Sequence, residues 1–187
     1  MLFRSVFFLH MVLAASFVSI PLLLANDLAI PAKRHYEVYI PVLALSLLCI
    51  GPMLRLSSKE RWTGRLFAFA IGCLALAECL LCVLPPRVFA VGGALTLFFV
   101  GFNFLEASLP SLISRAAPAT RKGAALGTYS TGQFLGTFIG GVTGGTATHL
   151  LGVRGVFGAA AVLSVCWFAL NWWHHTASPV AACDSRT

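Results

Sequence analysis

Charge is what this sequence has least of: only 10% of its 187 residues are Asp, Glu, Lys or Arg, and six are acidic. A soluble domain carries about a quarter charged residues, so an ordinary cytosolic enzyme is excluded. Disorder is excluded as well, because 58% of the chain is hydrophobic and the mean hydropathy is +0.87. Long polar stretches are also missing. The longest, Asn26 to Glu37, Arg55 to Arg65 and Arg115 to Lys122, are loop-sized, so no soluble domain is expected before or after the apolar segments. Hydrolase signatures are absent too: there is no G-x-S-x-G elbow, no H-E-x-x-H and no paired aspartates. An enzyme is not expected, nor is a cofactor.

Six cysteines are present, Cys49, Cys73, Cys79, Cys82, Cys166 and Cys183, mostly inside apolar runs. Cys79 and Cys82 have C-x-x-C spacing beside Glu78. They lack the second ligand pair of a zinc site and the βαβ setting of a redox pair, so they are read as small apolar residues with no metal. The net charge of +7 comes from basic residues scattered between apolar runs, which form no basic face for a nucleic acid.

What is present is a series of long charge-poor intervals: 5–26, 38–54, 66–86, 88–114, 123–153 and 155–183, interrupted only by Glu78 and Glu106. About 20 apolar residues cross a hydrocarbon core of about 30 Å, so each interval holds one helix. The expectation is an all-α membrane protein, a single six-helix bundle over 1–187 with spans near 5–26, 36–54, 63–84, 88–112, 123–148 and 155–174. The run Ala14-Ala15-Ser16 after Arg4 has a signal-peptide flavour. Its apolar stretch continues through Pro21 to Leu24, however, and is read as a span. With Met1 inside, Arg4, Arg55, Lys59, Arg61, Arg65, Arg115, Arg121, Lys122 and Arg186 lie on the inner side. Only Lys33, Arg34, Arg87 and Arg154 lie on the outer. That asymmetry predicts both termini in the cytoplasm, with Trp62, Trp172 and Trp173 at the inner interface and Tyr36 and Tyr39 at the outer one.

Glu78 and Glu106 do not belong in lipid, where a carboxylate costs several kcal/mol, about 2.5–3.5 on insertion scales, unless it faces protein or a wet cavity. Their offsets from the midpoints of their intervals place them about 10 Å apart in depth, too far to share one proton. Asn103 lies one turn before Glu106 and Pro110 one turn after, so Glu106 is the preferred proton or substrate site, with Asn103 as a neighbour. Glu78 is read mainly as interhelical glue. His10, His149, His174 and His175 are read as interfacial or satisfied polar groups.

The fifth interval is the most specific. Gly132, Gly136, Gly140 and Gly144 recur every four residues as a groove, while Gly123, Gly127, Gly141 and Gly145 form a second strip. Bare strips let helix backbones approach closely, and Gln133 beside the first strip is a candidate cross-helix donor. On this reading Gly136 accepts alanine, tolerates valine poorly and leucine worst.

This segment resembles the antiporter motif G-x8-G-x3-G-P-x2-G-G of the major facilitator superfamily, through Gly127, Gly136, Gly140, Gly144 and Gly145, with Gly141 in place of proline. The run from Phe102 through Glu106 and Pro110 to Arg115, then Pro118, Lys122 and Gly123, is similar to the C-terminal half of the YajR-type drug:proton antiporters of that family. The 51–65 loop lacks the acidic signature of the N-terminal half, and the fourth span lacks its buried arginine. The resemblance therefore implies helices seven to twelve, folded as two three-helix inverted repeats. It also implies half of a secondary transporter working by alternating access, in proton-coupled export of small organic solutes across the inner membrane. Glu106, Asn103, Glu78 and Gln133 would form the substrate or proton site, Pro110 and the glycines would serve packing and gating, and Arg115, Arg121 and Lys122 a cytoplasmic contact. The partners implied are lipid, a small solute, protons, and either a missing N-terminal half or a second copy. The rival readings are a six-helix carrier that dimerises with itself and a non-transporting scaffold or truncated remnant.

Overall fold

The computed structural model describes residues 2–176, so Cys183, Asp184 and Arg186 lie outside the described residues, as do the side chains of His174 and His175. Five long helices account for most of the chain: α1 (Leu2–Leu22), α2 (Tyr36–Ser57), α3 (Glu60–Val83), α4 (Val88–Ala116) and α5 (Lys122–Thr176). All five are long and apolar enough to cross a membrane. The architecture is thus all-α.

Proline and its preceding residue set most of the breaks. Leu84 is extended at φ −70°, ψ 147° ahead of Pro85 and closes α3, and Ala117 is extended at φ −83°, ψ 140° ahead of Pro118 and closes α4. After Pro21, α1 widens into a π-helical turn over Leu23–Asp27, held by Leu28 N donating to Leu23 O at 3.2 Å. Arg34 then forks onto Glu37 with two 2.8 Å bonds at the start of α2.

The expected fifth and sixth spans, 123–148 and 155–174, are not separated by a loop. They are two arms of α5, and the break between them is concentrated at Gly152, with φ 75° and ψ 174°. The chain reverses there. In a straight helix Thr143 and Cys166 would stand about 35 Å apart, yet both line one groove of about 360 Å³ with Met11 and Ala15 of α1. The conformation at Gly152 is close to glycine-only, so Gly152→Ala is expected to cost about 1–3 kcal/mol. The thermal midpoint of the helical circular-dichroism signal in detergent checks this. Gly145→Ala, where a methyl group meets nothing within 4 Å, is the control and should be neutral.

α4 carries much of the core, with Leu95, Phe98, Phe104, Leu105 and Leu109 all sealed among its neighbours. α1 packs chiefly along α5, α3 against both α4 and α5, and α2 against α4. Gly101 lets α4 approach α3, because a methyl group there would strike the Ala70 carbonyl. The outer surface is as apolar as the core. Phe89, Leu48, Phe134 and Phe138 are 94, 73, 72 and 68% exposed, a surface that needs lipid or another protein rather than water.

Candidate functional site

The first glycine strip determines how the site is assembled. A Cβ on Gly136 would meet the backbone carbonyl of Phe7, one on Gly140 that of Met11, and one on Gly144 the Cα of Ala15 at 2.6 Å. Gly132 stands opposite Phe3, whose carbonyl oxygen a Cβ there would meet at 3.6 Å. Contacts four residues apart on both helices, rising together, make α1 and the first arm of α5 a parallel, backbone-to-backbone pair. The second strip is different. Gly123, Gly127, Gly141 and Gly145 have nothing within 4 Å of an added Cβ.

That close pairing brings polar groups from three helices together. Tyr129 Oη of α5 donates to Glu106 Oε1 of α4 at 3.0 Å. Gln133 Nε2 reaches the same oxygen at 3.5 Å and lies 2.9 Å from His10 Nε2 of α1. His10 Nε2 is in turn 3.3 Å from Glu106 Oε2. On the far side of the ring, Nδ1 is 3.0 Å from the Val6 carbonyl, which can only accept, so Nδ1 carries a proton. Phe102 closes the remaining side of the imidazole edge-on, with ring centroids 5.9 Å apart.

The tautomer has a chemical consequence. With Nδ1 protonated, a neutral His10 presents a lone pair at Nε2, which accepts the Gln133 amide proton. Glu106 Oε2 is buried and receives no hydrogen bond. One added proton serves both atoms, carried either by Oε2 toward the imidazole or by Nε2 toward the carboxylate. In the second state the Gln133 amide must turn its oxygen toward the ring, so its orientation follows the proton. The His10 side chain is only 5% exposed and that of Glu106 is 34% exposed, but Glu106 Oε2 is itself buried, so the proton-sharing atoms are sealed while another part of the glutamate side chain is open.

The other expected site residues lie elsewhere. Asn103 does not join Glu106: its Nδ2 donates to Ser46 Oγ of α2 at 3.2 Å, tying α4 to α2. Glu78 is fully buried and accepts from Ser16 Oγ of α1 at 2.5 Å, with its Oε2 unpartnered. The two glutamates thus have separate partners. Pro110 lies within α4 four residues past Glu106, where it cannot donate to the Glu106 carbonyl. Arg115, Arg121 and Lys122 are exposed around the α4–α5 link. Among the described residues no three metal-ligating side chains converge.

His10 and Tyr129 are the participants that the sequence reading passed over. His10 is an ionisable side chain early in an apolar span, and the cost argument applied to the glutamates singles it out equally. Tyr129 sits three residues before Gly132, inside the glycine motif, where its hydroxyl gave no separate signal.

A helical bundle with an apolar exterior, a backbone-contact helix pair and polar side chains joined between helices is the architecture of an all-α membrane protein. No family model matches the chain. It is 38% identical over 162 residues to the inner membrane transport protein YajR of Escherichia coli, an alignment covering 87% of this chain and 36% of that protein. It is 27% identical over 165 residues to an uncharacterized transporter of Buchnera aphidicola subsp. Baizongia pistaciae, covering 88% of this chain and 42% of the relative. A 73-residue stretch is 32% identical to an uncharacterized MFS-type transporter of Methanocaldococcus jannaschii, covering 39% of this chain and 19% of that one. The chain is a homologue of major-facilitator (MFS-type) transporters and spans less than half the length of these relatives.

Proposed function

We propose that the chain is the C-terminal half of a major-facilitator secondary transporter, with the two arms of α5 counted as separate spans. The bundle then has six spans, both termini cytoplasmic in the inner membrane, and two three-helix inverted repeats. The observation that carries this reading is the Glu106–His10 pair, held by Tyr129 and Gln133 on a glutamate side chain that is 34% exposed. A carboxylate that is released from its proton can hold a cationic solute, and reprotonation discharges it. That exchange is the elementary step of proton-coupled export by alternating access. The parallel packing of α1 on α5 agrees with alternating spans, in which odd-numbered helices run the same way.

The open second strip, Gly127, Gly141 and Gly145, flanked by exposed Phe134, Phe138 and Val142, is the face assigned to the other half of the carrier. That other half is a separate N-terminal six-helix unit or a second copy of this chain. The deciding experiment is flux of a cationic dye in proteoliposomes under an imposed pH gradient. The chain is measured alone and co-reconstituted with a six-helix N-terminal half from a homologous carrier. Flux that appears only with the added half supports the half-transporter, and flux from the chain alone supports the homodimer. No flux in either sample, with both halves inserted and associated, removes the transport reading.

A further inference from the structure

The end of the bundle where α2 gives way to α3 and α4 to α5 is strongly cationic. Residues 55–65 carry four Lys or Arg and residues 115–122 carry three, against the single acid Glu60. Between the ends of α2, α3 and α4 lies a half-open pocket of about 160 Å³, with a hydroxyl-rich wall of Ser57, Ser58, Thr63, Ser108 and Ser111 and with Arg115 at its edge.

These hydroxyls are not equivalent. Ser57, Ser58 and Thr63 already donate to the carbonyls of Leu54, Arg55 and Ser57 at 2.9, 2.7 and 2.8 Å. Ser108 Oγ is buried and has no partner. Arg115 is exposed, and among the described side chains, which do not include that of Glu60, no carboxylate lies within ion-pair distance of it. An exposed guanidinium beside an unpartnered hydroxyl favours a ligand with acceptor oxygens, most strongly one whose oxygens bear negative charge. The apolar part of the wall, Leu54, Ala107 and Leu112, suits the hydrocarbon flank of such a ligand. Depth gives the same answer. Trp62, with the guanidinium carbons of Arg61 and Arg65 5.8 and 5.5 Å from its ring centre, marks the interfacial layer where lipid phosphates lie.

We propose that this pocket binds the phosphate of an anionic phospholipid, with Ser108 and Arg115 donating to its oxygens. A zwitterionic lipid would bring a second cation into a cluster that already has an excess, so the preference is for a headgroup such as phosphatidylglycerol. The proposal stands apart from transport, because its residues are not those of the Glu106–His10 cluster.

Native mass spectrometry of the full chain, released from detergent containing equimolar phosphatidylglycerol and phosphatidylcholine, is the test. The wild type is expected to retain one phosphatidylglycerol selectively. Arg115→Gln should lower that retention by about tenfold, the loss of one charge-assisted hydrogen bond. Lys59→Gln, which removes a cation at the same end but outside the pocket wall, should retain the lipid as the wild type does. Ser108→Ala should weaken retention as well, and if that variant fails to fold, the Arg115 variant decides. Equal retention of the two lipids overturns the proposal, as does a Lys59→Gln loss matching that of Arg115→Gln. Displacement of the bound lipid by millimolar inorganic phosphate also overturns it, because the pocket would then be a site for a free anion.

Discussion

Gly136→Leu is expected to prevent the bundle from assembling. The side chain would enter the contact between α5 and α1, where even a Cβ strikes the Phe7 carbonyl and approaches Met11 N to 3.2 Å. Both are backbone atoms of a helix and cannot turn aside as a side-chain tip would. Overpacking a close contact costs about 1–3 kcal/mol, and alanine should already incur it here. Alanine's helix propensity, better than glycine's by about 1 kcal/mol, offsets only part of that cost. This differs from the mild effect that the glycine pattern alone suggests, because the pattern gives the spacing of the strip but not how near the neighbouring backbone lies. The expected order is therefore alanine impaired, valine severely so, and leucine without a folded fraction, read as the monodisperse share in detergent and the thermal midpoint. Gly140→Ala should behave like Gly136→Ala, because its Cβ would strike the Met11 carbonyl. Two controls should stay near wild type: Gly141→Ala on the open strip and Leu135→Phe, whose residue is 49% exposed. A Gly136→Leu variant as stable as wild type would mean that α1 and α5 do not pack along this strip.

Glu106→Gln is expected to abolish pH-driven flux in the completed carrier, a loss of at least about a hundredfold if the carboxyl supplies the coupled proton. Glutamine keeps the shape and still accepts from Tyr129, so folding should change little, but it cannot exchange a proton with His10. His10→Asn should show the same loss of pH response while keeping some downhill flux, since the carboxylate remains to hold a cation. Glu78→Gln is the contrast. That carboxyl is fully buried against Ser16, with no open side, and should affect thermal stability more than coupling. Proton coupling that survives Glu106→Gln would leave the cluster as a polar tie between helices.

Most of the helices were legible because lipid imposes a simple rule: charge-free runs of sufficient length must be helices, and their ends fall where charge or proline returns. The first four long helices lie within a few residues of the expected segments. The turn at Gly152 was not legible as such, since Arg154 suggested a loop while one residue with positive φ makes the reversal. At the site, the costly glutamates stood out from composition alone, and Gln133 from its place beside the glycines. Partner choice did not. Asn103 is one turn from Glu106 in sequence, yet the two side chains diverge, toward α2 and toward α5. Which face of a helix meets which neighbour is a tertiary property, and no spacing rule within one helix supplies it.

The pairing of α1 with α5 also bears on how the chain is made. His10, Ser16 and Ser19 are buried in α1, and their cross-helix partners are Gln133, Glu78 and Thr148. Of these, only Glu78 is synthesised early. At about 5–20 residues per second, the glycine strip that α1 packs against follows it from the ribosome by roughly 6 to 25 seconds. Throughout that interval the first helix has its imidazole and one serine without their final partners in or beside the bilayer. The Ser16–Glu78 bond to α3 is the first tie that can hold it in place. Folding should therefore depend on whatever shelters the polar face of α1 until α5 arrives, and a nascent chain halted before residue 130 should leave His10 and Ser19 without these partners.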